Sequence, residues 1–390
     1  MSKFIIVWIS LWVGTTSILS AAEINFRFYS EECSIQYDLD ILPRQRLRVN
    51  GSSIAQFYSF LEKSKHQILL QDLRSQKEQY KLNDWLYYQL IIEACDKIYA
   101  QRTANEKSLL AWFLLNKSGL DARITFREQQ IYLCAYTKDK VFEVPLIKQD
   151  HKTFVNLSEI SKPSIGQEAV YLLDFVANPQ GRSFSFSLKE MPSFKQEIEQ
   201  KYIKFQFQDS LYNWPVQVNR TYIRLMERYP FINEIEYIEA PMSSPLLNSL
   251  LPQIKQSIQY MDARTSVQFL VAFTRNAFRY MEDKSYFGHS KPMIPDEVLH
   301  YPFSDCEDRS ALFYALVQEV LALPMVLVAY PDHLTVAVHL PESEGETIYY
   351  QGKRYLFCDP TGPANSIEIG RIPKELKGIP YEIIHHSQKN

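Results

Sequence analysis

The sequence predicts an α+β protein. Apolar residues at helical spacing come in runs, over 53–117 and again over 246–316, and alternating strand-like stretches follow each run as a block instead of interleaving with it. Length adds that a chain of 390 residues exceeds one ordinary core, so two or three domains are expected. A hydrophobic content of 46% suits a globular protein. The net charge of -3 is spread without a basic block, so nucleic acid and anionic membrane surfaces are not expected partners.

Lys3 precedes an apolar stretch over 4–19, and Ser20, Ala21 and Ala22 supply small residues for cleavage. That layout reads as a signal peptide over 1–22, hence an exported protein, periplasmic or extracellular. The stretch is shorter than the roughly 20 residues of a spanning helix and no later one approaches that length. No membrane span is expected in the mature protein.

Residues 23–29 and 33–39 alternate as two strands around a turn. Ile54, Phe57, Phe60 and Leu61, then Leu86, Leu90, Ile91, Ala94 and Ile98, mark helical faces. A helix over 108–115 is apolar all round, hence buried, and stops at Gly119. Strands are expected over 122–126, 130–136, 141–146 and 153–157. Together these define an N-terminal α/β region over 23–165. Alternation over 182–188 and 202–207 suggests a β-rich middle domain over 166–240, and the Pro- and Ser-rich 241–245 reads as a linker. A C-terminal domain over 246–380 follows, with helices over 246–260 and 265–279, a further helix near residue 306, and strands over 325–330, 333–340 and 353–358.

Five cysteines are few for an exported protein and odd in number, which excludes a disulfide scaffold and leaves at least one thiol unpaired. Cys306 is the candidate. Ser304 followed by Glu307 ahead of an apolar run reads as a capping box, so a helix starts near Asp305 and Cys306 falls in its first turn. Unpaired N–H groups and the positive end of the macrodipole favour a thiolate there. Glu307 and Asp308 oppose it, so a cationic partner is required.

His333 opens one strand and Asp359 follows another, and an antiparallel pairing of the two sets them side by side. His339 lies six residues further on, about 20 Å at about 3.3 Å per residue, and falls near Lys353 instead. Cys306, His333 and Asp359 then make a nucleophile, a base and an orienting acid. His339 and Cys358 take structural roles. Neither an EF-hand loop nor an HExxH pattern occurs, so no metal or cofactor is required.

The order of helix, break and strand over 106–124 echoes that over 307–326. Asn105 stands where the cysteine would fall and no histidine follows in the next strand, so the first copy reads as a degenerate, non-catalytic duplicate.

The stretches 304–310, 330–338 and 355–361 resemble the three motifs of the transglutaminase-like superfamily, which shares a papain-like Cys-His-Asp arrangement, and the likeness runs over 248–375. It is nearest to exported bacterial members. The resemblance implies a C-terminal domain of helices packed on an antiparallel sheet, with Cys306 as nucleophile, His333 as base and Asp359 as its partner. It also implies an upstream oxyanion donor, for which Tyr301 or the Cys306 N–H can serve. The expected activity is attack on an amide or peptide bond of a protein or peptide substrate through a thioester. Hydrolysis is favoured over amine transfer, and the alternative is a non-catalytic binding or assembly module of the cell envelope.

Overall fold

The computed structural model describes residues 21–160, 172–362 and 368–387. The expected signal peptide falls mainly on 1–20, outside the described residues. Among the described residues no helix is long and apolar enough to cross a membrane.

The chain opens with an antiparallel hairpin of β1 (Ala21–Phe28) and β2 (Glu31–Asp38). Four helices follow: α1 (Gly51–Lys63), α2 (Gln67–Gln79), α3 (Asp84–Ile98) and α4 (Ala104–Lys117). Asn50, Asn83 and Thr103 cap three of them by accepting an N–H of the first turn, and Glu106 returns a bond to Thr103. α4 is apolar on every side because it lies in the middle of the core, where Leu109 to Leu115 are wholly buried. Strands β3 (Ala122–Arg127), β4 (Gln130–Thr137), β5 (Leu146–Gln149) and β6 (Lys152–Asn156) form an antiparallel sheet in the order β3-β4-β6-β5. The strand expected over 141–146 is displaced toward Gln149. Val141 bridges Ile232 and the Phe142 N–H donates to the Phe231 carbonyl, so that segment pairs with later chain.

The second half repeats this order. The hairpin of β7 (Ile198–Phe207) and β8 (Ser210–Asn219) leads into α5 (Arg220–Met226), α6 (Glu234–Ile238), α7 (Ser244–Ile258) and α8 (Ala263–Asn276). Next come β9 (Arg279–Tyr280), α9 (Asp283–Tyr286), α10 (Pro295–His300), β10 (Phe303–Ser304) and the buried α11 (Cys306–Val320). A second sheet of β11 (Met325–Tyr330), β12 (His333–Val338), β13 (Thr347–Tyr350), β14 (Lys353–Cys358) and β15 (Glu382–His386) closes the chain in the antiparallel order β13-β14-β12-β11-β15.

Setting β15 aside, the two sheets have one topology, each following a central helix: β3-β4-β6-β5 after α4 and β11-β12-β14-β13 after α11. The opening hairpins match too, β1 and β2 lying on α3 and α2 as β7 and β8 lie on α8 and α7. Phe205 of the second hairpin meets Phe269 and Phe273 of α8 edge to face. Full burial of each such ring contributes about 1.5–3 kcal/mol.

This repeat redistributes the stretch expected as a β-rich middle domain. Phe184, Phe186, Leu188, Met191 and Phe194 join the first core, whereas Ile203, Phe205, Trp214 and Val216 join the second. The remainder is helical at α5 and α6. The alternation is real, but both strands of the β7–β8 hairpin use it to cover the second unit's helices. The expected linker at 241–245 is equally built in. Ser243 is buried, caps α7, and donates its backbone N–H to Asp296 Oδ2 at 2.9 Å.

Candidate functional site

α11 begins at Cys306, with Asp305 as its cap and Asp308 completing the box. The cap is one residue later than the sequence suggests. Ser304 is engaged in the two-residue parallel pairing of β10 with β9, and its hydroxyl accepts from Arg309 Nε at 3.1 Å, so Asp305 takes the helix end. Cys306 therefore occupies the first helical position, where its N–H lacks an intrahelical carbonyl.

The thiol is 7% exposed yet lies outside the apolar core clusters. It donates to Glu307 Oε2 at 2.9 Å. Burial first, and then the Glu307 carboxylate, push its pKa far above the usual thiol range, while the Leu334 backbone N–H aimed at the sulfur pulls it down. That amide belongs to the residue after His333, so the helix tip and the start of β12 do meet.

His333 faces Asp359, with Nε2 at 3.4 Å from Oδ1. The register differs in detail from a direct opposition. Val336 pairs with Cys358, which sets Thr335 across from Asp359 and His333 on the diagonal. Thr335 and Thr361 fill the intervening space: the Thr361 hydroxyl donates to Asp359 Oδ1 at 2.6 Å and lies 3.2 Å from His333 Nε2, and Thr335 Oγ1 donates to the same carboxylate at 3.3 Å. Arg275 Nη2 stands 3.6 Å from Asp359 Oδ2. Burial alone would raise the Asp359 pKa, but the His333 hydrogen bond and the Arg275 charge outweigh it and hold the carboxyl at about 2. With Nε2 turned to the acid, Nδ1 is the ring atom left to take a proton.

His339 and Cys358 fall where alternation puts them. His339 Nδ1 meets the Arg354 carbonyl at 2.9 Å, and Cys358 is buried in the second core. All five cysteines are free thiols, so the structure contains no bridge among them. Tyr301, named above as an oxyanion donor, stacks on Phe303 and lines a cavity of about 460 Å³ with Phe287 and Lys291. Tyr280 is the tyrosine that feels the thiol: burial, then negative charge at Cys306, Asp305 and Glu307, raise its pKa, and its ring rests on the Arg309 guanidinium at 5.3 Å.

Several groups at this site carry no sequence signature. Asp283, the first residue of α9, brings a carboxylate to within 4.8 Å of those of Asp305 and Asp308. Burial, and then the neighbouring carboxylates, push Asp308 and Asp305 well above the usual carboxylate range. Three such oxygens are the donors in this region able to hold a hard divalent cation. Arg309 is fully buried, and Arg275 reaches the site from α8, 84 residues before Asp359 in sequence (359 - 275). Only proximity in the fold reveals their roles, although Arg309 and Thr361 sit within stretches already singled out.

The arrangement can hold a nucleophile at a helix tip, a base oriented by a carboxylate, and amide donors for an oxyanion. Compared with family models, curated proteins and solved structures, the chain matches none of them.

Proposed function

We propose that the C-terminal unit is a transglutaminase-like cysteine enzyme that attacks an amide or peptide carbonyl of a protein or peptide substrate. The observation that supports this most is the meeting of Cys306, at the first position of α11, with the amide next to His333, whose imidazole is held by Asp359. Nδ1 of His333 takes the thiol proton and the sulfur attacks the carbonyl carbon. The oxyanion that forms is received by N–H groups at the helix tip. On collapse, the imidazolium gives its proton to the leaving amine and a thioester remains. His333 then deprotonates a water, which adds to the thioester and releases the acid and the thiol. An amine in place of water gives acyl transfer, and hydrolysis is favoured because water is always present. Export to the periplasm or medium belongs to the same proposal.

The test is incubation with p-nitrophenyl acetate followed by intact mass measurement. Expected is an acetyl adduct on Cys306 that is absent in Cys306→Ala and slowed by about 10²-fold or more in His333→Ala. An adduct indifferent to His333 would sink the reading. The second reading, a non-catalytic binding or assembly module, draws on the Glu307 contact, which retains the thiol proton in this state.

A further inference from the structure

Arg309 lies one turn after Cys306, at 1% exposure, and among the described residues none of its four hydrogen bonds goes to a carboxylate. Nε donates to Ser304 Oγ at 3.1 Å, Nη1 to the Thr361 and Gly362 carbonyls at 2.9 and 3.1 Å, and Nη2 to the Phe278 carbonyl at 2.7 Å. These acceptors belong to three segments: β10 before the nucleophile, the turn after Asp359, and the chain entering β9. A planar fork of donors in fixed directions ties all three to α11, which a point-charge ammonium cannot do. Burying a guanidinium without a carboxylate is unfavourable, and a position that only filled space would be served by an apolar side chain.

The turn held by Nη1 carries Thr361, whose hydroxyl touches both Asp359 and His333. We propose that Arg309 is a positioning residue: it fastens the helix bearing Cys306 to the turn bearing Asp359 and Thr361, and thereby sets the imidazole against the thiol. The proposal rests on the reading of Cys306 as nucleophile. The first unit shows what the position does without that duty. Counting from the caps, Lys107 is the counterpart of Arg309, and its ammonium pairs with Asp96 at 3.0 Å near the surface.

The test is the pH profile of Cys306 alkylation by iodoacetamide, mapped by mass spectrometry in the full chain, for wild type, His333→Ala, Arg309→Lys, Arg309→Ala and Thr361→Val. Expected is a wild-type profile with a His333-dependent limb near neutral pH. That limb is lost in Arg309→Lys, with at least a tenfold lower rate at pH 7, and is restored in Arg309→Ala by methylguanidinium and not by methylammonium. A folded Arg309→Lys protein with the wild-type profile would overturn the proposal. Should neither Arg309 variant melt cooperatively, Thr361→Val decides, since it cuts the link from the fastened turn to the imidazole and leaves the arginine's bonds to main-chain carbonyls in place. Loss of the limb supports the proposal and its retention overturns it. A profile that depends on His333 but on neither Arg309 nor Thr361 overturns this proposal alone, whereas one identical in wild type and His333→Ala overturns the nucleophile reading and this proposal with it.

Discussion

In both halves of the chain a capped, buried helix points its first turn at the start of the second strand of an antiparallel sheet, yet the groups at that meeting differ. Aligning the capping boxes puts Ala104 where the second unit has Cys306 and Asn105 where it has Glu307. Aligning the tight hairpins, Arg127 with Gln130 and Tyr330 with His333, puts Gln130 in the histidine's place. Continuing the β4–β6 register two residues past its last pair, Cys134 with Asn156, puts Ser158, in the short 3-10 turn after β6, in the place of Asp359. Nucleophile, base and acid are all missing from the first unit. The repeat therefore separates what the architecture needs from what the chemistry needs: both units keep the cap and the buried helix, and only one has a cysteine, a histidine and an aspartate at that tip.

The largest expected contrast is in acylation. Cys306→Ala abolishes the acetyl adduct from p-nitrophenyl acetate, and Ala104→Cys in that background does not restore it, because neither Gln130 nor Ser158 can take a proton from the new thiol. Intact mass reads both, and an adduct on the introduced thiol would break the distinction between the units.

Glu307→Gln comes next. Removing the charge that retains the thiol proton lowers the Cys306 pKa and raises its alkylation by up to about tenfold at neutral pH, since one pKa unit is a tenfold change in thiolate. Asn105→Asp in the first unit leaves that rate unchanged.

Titration sharpens the contrast further. Burial and the neighbouring carboxylates raise the folded-state pKa of Asp308, so its linked stability is full below its unfolded value of about 4 and is lost as pH rises above it. Asp359 runs the other way: depressed to about 2, its contribution holds above about 4 and is lost as pH falls toward 2. Melting scans across pH are expected to show a decline as pH rises above about 4 that Asp308→Asn flattens, and an acid loss that Asp359→Asn reduces. The smallest effect concerns the caps. Thr103→Ala costs about 1 kcal/mol by denaturant titration, whereas Asp305→Ser is neutral or stabilising, because serine caps as well and removes a carboxyl from the crowd around Asp308.

Much of this was legible in the sequence because it follows short-range rules. Helical spacing, the all-apolar character of 108–115, the alternation of 333–338 and the position of Cys306 in a first turn all rest on patterns within a few residues. Two local errors share a cause in tertiary pairing. Ser304 makes as good a cap as Asp305 by propensity, but β9 and Arg309 engage it. Residues 141–146 have strand character, but Ile232 and Phe231 recruit part of them away from the sheet. The middle region misleads because a hairpin covering helices and a strand in a separate sheet share one alternation. Arg309, Arg275 and Asp283 were invisible for a different reason: nothing in local sequence tells a buried charge from an exposed one.

The amide of Leu334 has a final consequence. A donor that belongs to the main chain survives every substitution except proline, so its appetite for an electron-rich partner persists wherever the architecture does. In the first unit the equivalent amide, that of Ile131, donates to the Asn105 carboxamide at 3.0 Å, while that side chain's own amino group donates to the Gln129 carbonyl at 2.6 Å. Asparagine there supplies the acceptor that the Cys306 sulfur supplies in the second unit. The same main-chain donor thus faces a sulfur in one unit and a carboxamide in the other.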